Sequence, residues 1–323
     1  MRKITLLLGA WAISAALWAQ PPSDPRLLIP EEAPPLNYRW VADPLSIPED
    51  VEFGLPASVT FDDDGHLWVL NRGPNPISEF DEHGKLLRAF GSGLFGRRPH
   101  ALRLDPEGNI WVADGSTHIV VKLNRQGEVL MTLGVSGQAG DWDEAAGTRL
   151  LNQPNDIAFA PNGDFFIAQG HLPGERGDPR VLKFRADGTF VKSWGGKGDA
   201  PGKFQVAHSI VIDDAGDLWV MDRENSRIQI FDQDGNYLRE LKYAGLPCSI
   251  DFAGDYIWMV NGFTGQLLQL DRSGKVLAAM GSPGERPDQF GEAHYVAASP
   301  SGEIYVADVT RGVHKFVPQG QSP

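Results

Sequence analysis

Eight residues ahead of a turn glycine that recurs along the chain stand Ala57, His100, Asn155, His208 and His294, and, where one turn is shorter, Cys248. Three of the chain's eight histidines therefore fall in one column, at every second repeat. A lone histidine in such a place can simply hold water or a polar neighbour. Three at matched positions suit a metal, because neutral imidazole is the commonest protein ligand for late first-row ions. Three histidines with a fourth position open are also the catalytic form of a zinc site. Zinc is the first expectation, and copper or iron would suit the same donors. Cys248 shares the column, but free cysteine is among the most buried residue types and is expected to act there as a small apolar side chain. A second column follows the second strand of the repeat and holds Arg72 in "VLNRG" and Arg223 in "MDREN". Guanidinium is a rigid, permanently charged fork for carboxylates and other anions. The competing reading is an ion pair with neighbours such as Glu224.

These columns exist because one phrase is repeated. It reads "LPASVTFDDDGHLWVLN", "RPHALRLDPEGNIWVAD", "QPNDIAFAPNGDFFIAQ", "VAHSIVIDDAGDLWVMD" and "EAHYVAASPSGEIYVAD", with a shorter-turned sixth, "GLPCSIDFAGDYIWMVN". Each is an alternating strand, a turn and a second strand with a large aromatic, expected to pack between repeats. A second hairpin follows most copies, as in "RIQIFDQDGNYLREL". Four strands recurring roughly every 40 to 55 residues predict an all-β, six-bladed β-propeller. The last repeat, ending "VHKFVPQGQSP", lacks a fourth strand, and "NYRWVADPL" (37–45) alternates well enough to supply it and close the ring. In a six-bladed ring, the second, fourth and sixth blades lie about a third of a turn apart. Imidazoles at the mouth of their first strands would face the central axis from three sides.

The N-terminus "MRKITLLLGAWAISAALWAQ" has two cations, a short apolar run and a small-residue end, the pattern of a secretory signal peptide cleaved after Ala19. The expected organisation is a signal peptide at 1–19, an extended Pro-rich arm at 20–52 that includes the closing strand, and the propeller at 53–323. The mature chain is expected to be secreted or periplasmic, without membrane insertion. Losing Arg2 and Lys3 would take the formal charge from −13 to −15, which disfavours nucleic acid and anionic membrane as partners. One cysteine allows no intrachain disulfide.

Over about Leu55 to Phe316 the chain resembles the lyase domain of the peptidylglycine α-amidating enzymes, the peptidyl-α-hydroxyglycine α-amidating lyases with NHL-type repeats. The segments that carry the likeness are "NRG" at 71–73, "PHALRLDPEGNIWVAD", "QPNDIAFAPNGDFFIA" and "HSIVIDDAGDLWVMDRENSRIQIF". The resemblance implies zinc on His100, His208 and His294, and substrate engaged by the active-site arginines Arg72 and Arg223. It also implies cleavage of a peptidyl-α-hydroxyglycine, or a related α-hydroxy acid derivative, to an amide and glyoxylate. Metal would polarise the carbinol hydroxyl, an arginine would hold the carboxylate, and a base would take the proton.

Two departures bear on that implication. The family's catalytic tyrosine follows the second strand of the third blade, where this chain reads "QGHLPGERGDP" and places His171, a residue able to serve as base near neutral pH. A family calcium uses backbone carbonyls, falling on Val59 and Leu102, and an aspartate, replaced here by Tyr295. Without that carboxylate a tight calcium site is not expected. Two other functions fit a propeller. A lactonase-type hydrolase would draw on Asn155 and Asp156, and a non-catalytic NHL-repeat binding module would use the insertion at 133–156 and the segment 169–180 as recognition loops. The lyase reading makes those loops walls over the metal.

Overall fold

The computed structural model describes residues 22–171 and 177–320. The expected signal peptide and residues 172–176 of one expected loop lie outside them. Among the described residues six four-stranded antiparallel sheets form the six blades, the first five with their strands in sequence order. The first strands, from the innermost position of each blade, are Pro56–Phe61, Pro99–Leu104, Pro154–Phe159, Ala207–Ile212, Pro247–Ala253 and Ala293–Ala298. The sixth blade takes its outer strand from Tyr38–Val41, which pairs antiparallel with Gly312–Pro318 and closes the ring. Ahead of it, the arm is extended except for a short 3-10 turn at Pro25–Leu28. It lies along the fifth blade, with the Leu36 amide donating to the Ala279 carbonyl and Pro35 bridging Ala279. Among the described residues no helix is long and apolar enough to cross a membrane.

Each hairpin is built by its own turn residues. In the second blade the Asp105 carboxylate accepts the amides of Glu107 and Asn109 through one oxygen and the Trp111 indole N–H through the other. Gly108 sits at φ +79°, a left-handed conformation that a side chain would strain. Asp62 with Trp68 and Asp213 with Trp219 repeat the device. Trp68, Trp111 and Trp219 are thus buried with their indole donors satisfied.

One irregularity recurs in all six blades. Pairing of the first two strands slips at one residue, between Pro56 and Ser58, Pro99 and Ala101, Pro154 and Asp156, Ala207 and Ser209, Pro247 and Ser249, and Ala293 and Tyr295. The skipped residue is in every case the column residue, Ala57, His100, Asn155, His208, Cys248 or His294. A β-bulge frees a residue from the ladder and re-aims its side chain. Repeated around the ring, it turns one position of each blade toward the channel.

Below that layer the channel is cross-tied between blades. The Arg103 guanidinium makes two hydrogen bonds to the Asp156 carboxylate, at 2.8 and 2.7 Å. Asp156 also accepts the Ser209 hydroxyl and the Ile210 amide of the next blade. The Arg103 guanidinium lies 5.3 Å from the centre of the buried Tyr295 ring. Removing one partner of a buried pair leaves an uncompensated charge and costs about 3–5 kcal/mol. Asp156→Ala is therefore expected to destabilise the propeller by that order, read as a lowered urea midpoint; an unchanged midpoint would show that the tie contributes nothing.

Candidate functional site

The three bulged histidines meet as the column predicts. Their ring centres form a nearly equilateral triangle, with His100 to His294 4.6 Å, His100 to His208 4.8 Å and His208 to His294 4.8 Å. All three are buried. Each Nδ1 lies within hydrogen-bond reach of a carbonyl from the column residue of the following blade: His100 to Asn155 O at 2.8 Å, His208 to Cys248 O at 2.8 Å, and His294 to Ala57 O at 2.7 Å. A carbonyl can only accept, so Nδ1 carries the proton and Nε2 keeps its lone pair. The Nε2 atoms of His100 and His208 are buried without a hydrogen-bond partner. Carbonyls that fix the tautomer while leaving the other nitrogen bare are the usual support of a metal-bound histidine. The donor set fits a late first-row ion.

Electrostatics favour neutral rings. Burial, with help from nearby Arg72 and Arg223, holds His100 down at about 3, against only a partial upward pull from its hydrogen bond to Asn155. His208 and His294 are likewise held well below the usual histidine range, first by burial and then by neighbouring positive groups.

His171 joins this group. Its ring centre is 4.7 Å from that of His100 and 5.5 Å from that of His208. One nitrogen from each of the four histidines lies within 4.8 Å of the other three. Burial foremost, then the neighbouring imidazoles and Arg223, lower its pKa well below the ordinary value. Gly170 sets its position. At φ +91°, a β-carbon there would come 2.5 Å from the Pro179 backbone, so the third blade's second strand can leave the sheet this way only with glycine.

The two arginines differ. Both are largely buried, but Arg223 is occupied, with Nε and Nη2 donating to Glu224 Oε1 at 3.0 and 2.6 Å and Nη1 3.8 Å from Glu292. The ion pair weighed against a substrate role for Arg223 is present. Arg72 instead has a buried Nε with no partner and lines the pocket at the channel mouth together with His100, His171 and His294. The same pocket includes Arg98, Gln153 and Glu292, which the sequence reading did not single out. Each lies two residues before the column, and the two-residue period of an extended strand puts such positions on one side. Burial raises Glu292 to about 7, against the pull of Arg223 and Arg72.

Other expectations resolve locally. Cys248 is buried, its thiol pushed up to about 12 by burial, and it supports His208 through its carbonyl. Calcium does not fit the channel. Tyr295 fills the place of the carboxylate, the Leu102 carbonyl accepts the Ser58 hydroxyl, and the Arg103 guanidinium already brings a positive charge beside Asp156. Asn155 and Asp156, the residues that favoured a lactonase, are engaged with the Ala207 carbonyl and Arg103. Of the insertion at 133–156, Gln153 lines the pocket, whereas its hairpin packs Trp142 against Phe184 and Phe190 of the third blade.

A model of the NHL repeat matches residues 204–231, in the fourth blade. Peptidyl-glycine alpha-amidating monooxygenase A of Xenopus laevis is 32% identical over 291 residues, covering 78% of this chain and 30% of that protein. Peptidyl-alpha-hydroxyglycine alpha-amidating lyase 1 of Drosophila melanogaster is 27% identical over 377 residues, covering 97% of this chain and 66% of that protein. The chain thus spans about a third of the length of the monooxygenases it matches. Among solved structures, one described as "Streptogramin B lyase structure" superposes with a TM-score of 0.61 at 19% identity, covering 87% of this chain and 98% of that one, a likeness of fold.

Proposed function

Because this chain belongs with the NHL-repeat propellers of the peptidyl-α-hydroxyglycine α-amidating lyases, we propose that it is an exported, metal-dependent lyase. Its substrate is a carbinolamide or related α-hydroxy acid derivative, cleaved to an amide and glyoxylate. One observation carries the reading: three imidazoles are held through Nδ1 by backbone carbonyls, two of them with a buried Nε2 that has no partner, and they stand beside an arginine whose buried Nε has none either.

His100, His208 and His294 would hold the ion, zinc being the first choice; when bound it supplies Lewis acidity toward the hydroxyl oxygen. Arg72 would take the substrate carboxylate, and its charge also opposes protonation of His100. Arg223, held by Glu224 and Glu292, is a second positive charge beside the site and adds to burial in keeping His208 neutral. His171 is assigned the proton of the hydroxyl. As that proton leaves, the oxygen forms the aldehyde carbonyl, the C–N bond breaks, and the departing amide nitrogen takes up a proton. The reaction consumes neither water nor a net proton. Burial keeps His171 neutral and able to accept, but also makes it a weak base.

The carboxylate assignment is tested with a peptidyl-α-hydroxyglycine and its C-terminal methyl ester. Arg72→Gln is expected to raise KM for the acid by about tenfold to a hundredfold, the worth of a charged hydrogen bond, and to leave KM for the ester nearly unchanged. Equal effects on both substrates would remove Arg72 from carboxylate recognition.

A further inference from the structure

We propose that His171 is a fourth imidazole donor to the same metal set, closing it in the substrate-free protein. This rests on the reading that His100, His208 and His294 bind a metal, and it goes beyond the role of base. The geometry is that of a ligand sphere. One nitrogen from each of the four rings lies within 4.8 Å of the others, while the edges of a tetrahedron with metal–nitrogen bonds of 2.0–2.1 Å are about 3.3 Å. Shortening these separations by about 1.5 Å at most would give a closed tetrahedral set.

Position in the ring agrees. His171 belongs to the third blade, between the blades of His100 and His208, and those are the rings it meets at 4.7 and 5.5 Å. It comes from the end of a strand rather than from a bulge. The first three imidazoles are fixed by backbone carbonyls, whereas the fourth is presented by the chain that follows Gly170. Three rigid donors and one on a separate strand end make a site that is complete without substrate and can yield one position to it.

The two roles of His171 exclude each other at any instant. Neutral imidazole has a single in-plane lone pair, so a ring bound to metal cannot take a proton. His171 serves as base only once released, and substrate entry then couples opening of the site to freeing of the base. A rise in metal affinity and a cost in substrate affinity follow from the same residue.

Cobalt(II) titration of the metal-stripped chain tests this, because visible d–d absorption reports coordination independently of turnover. The wild type, His171→Ala and His208→Ala are compared, with affinities from chelator competition and folding checked by circular dichroism. His171→Ala is expected to keep the fold and to bind one cobalt with an altered spectrum. Its affinity should fall by more than about tenfold, the lower end of the cost of losing even an outer-shell partner. A spectrum and affinity identical to wild type would overturn the fourth-ligand proposal while leaving the three-histidine site standing. Failure of the wild type itself to bind cobalt would overturn both.

Discussion

His208→Ala is expected to abolish both bound metal and turnover while leaving the propeller folded. His208 touches the scaffold through one hydrogen bond, from Nδ1 to the Cys248 carbonyl, and losing such a bond costs on the order of 1 kcal/mol. The metal it is proposed to help hold would have a larger task. Lewis-acid stabilisation of a developing charge is worth several kcal/mol, and at about 1.4 kcal/mol per tenfold, about 4 kcal/mol corresponds to a thousandfold in rate. Glyoxylate release should fall by at least about that factor, with metal content falling from one ion per chain toward zero and the melting transition remaining cooperative. A variant that retained stoichiometric metal and full rate would remove His208 from the centre. His100→Ala and His294→Ala should behave alike, since the three rings hold equivalent places in the triangle.

The metal-free protein should also be acid-sensitive, and the sign follows from burial. His100 is held at about 3 in the folded chain, against 6.5 for a free histidine, and His171, His208 and His294 are shifted in the same direction. Above pH 6.5 both folded and unfolded chains carry these rings neutral, and their contribution to stability is fully present. As pH falls below 6.5 the unfolded chain binds protons that the folded chain refuses, so stability is lost progressively toward pH 3. Each ring adds a slope of up to about 1.4 kcal/mol per pH unit. Urea unfolding of the stripped protein at pH 8, 6 and 5 should show this steepening, and His208→Ala should flatten it by roughly one ring's share. A pH-independent midpoint would mean that the histidines are not kept neutral by the fold. In the loaded protein, protons and metal compete for the same lone pairs, so metal should be released over the same acid range.

The repeat explains how much of this was legible from sequence. Six copies of one hairpin set a common register, and in a ring a shared register is a shared distance from the axis. Hence His100, His208 and His294 could be placed together though nearly two hundred residues separate the first from the last. The missing outer strand was legible for a related reason, since an unclosed sixth blade demands a partner and Tyr38–Val41 supplied it. The bulge that turns each column residue inward was not legible, because it is a slip in pairing and leaves no distinct residue type behind. Nor was the assignment of partners across blades. Asp156 was one of the two residues that favoured a lactonase, yet its oxygens go to Arg103 and Ser209, residues about fifty positions away in either direction. Arg223 was expected to engage substrate, with an ion pair to Glu224 as the competing reading, and only geometry shows Nε and Nη2 donating to Glu224. Arg98 and Glu292 share a position with Gln153 in the repeat, but three different residue types give a column no chemical signature. His171 was found through its departure from a family pattern, while its closeness to the three histidines depends on the turn at Gly170.

The central claim, that this propeller is a metal-dependent amidating-type lyase, is tested most directly by glyoxylate release from a peptidyl-α-hydroxyglycine. The purified chain is assayed after metal stripping and again after one equivalent of zinc. The account predicts negligible release from the stripped protein and restoration by that single equivalent. Equal release in both states, or none in either, would contradict it.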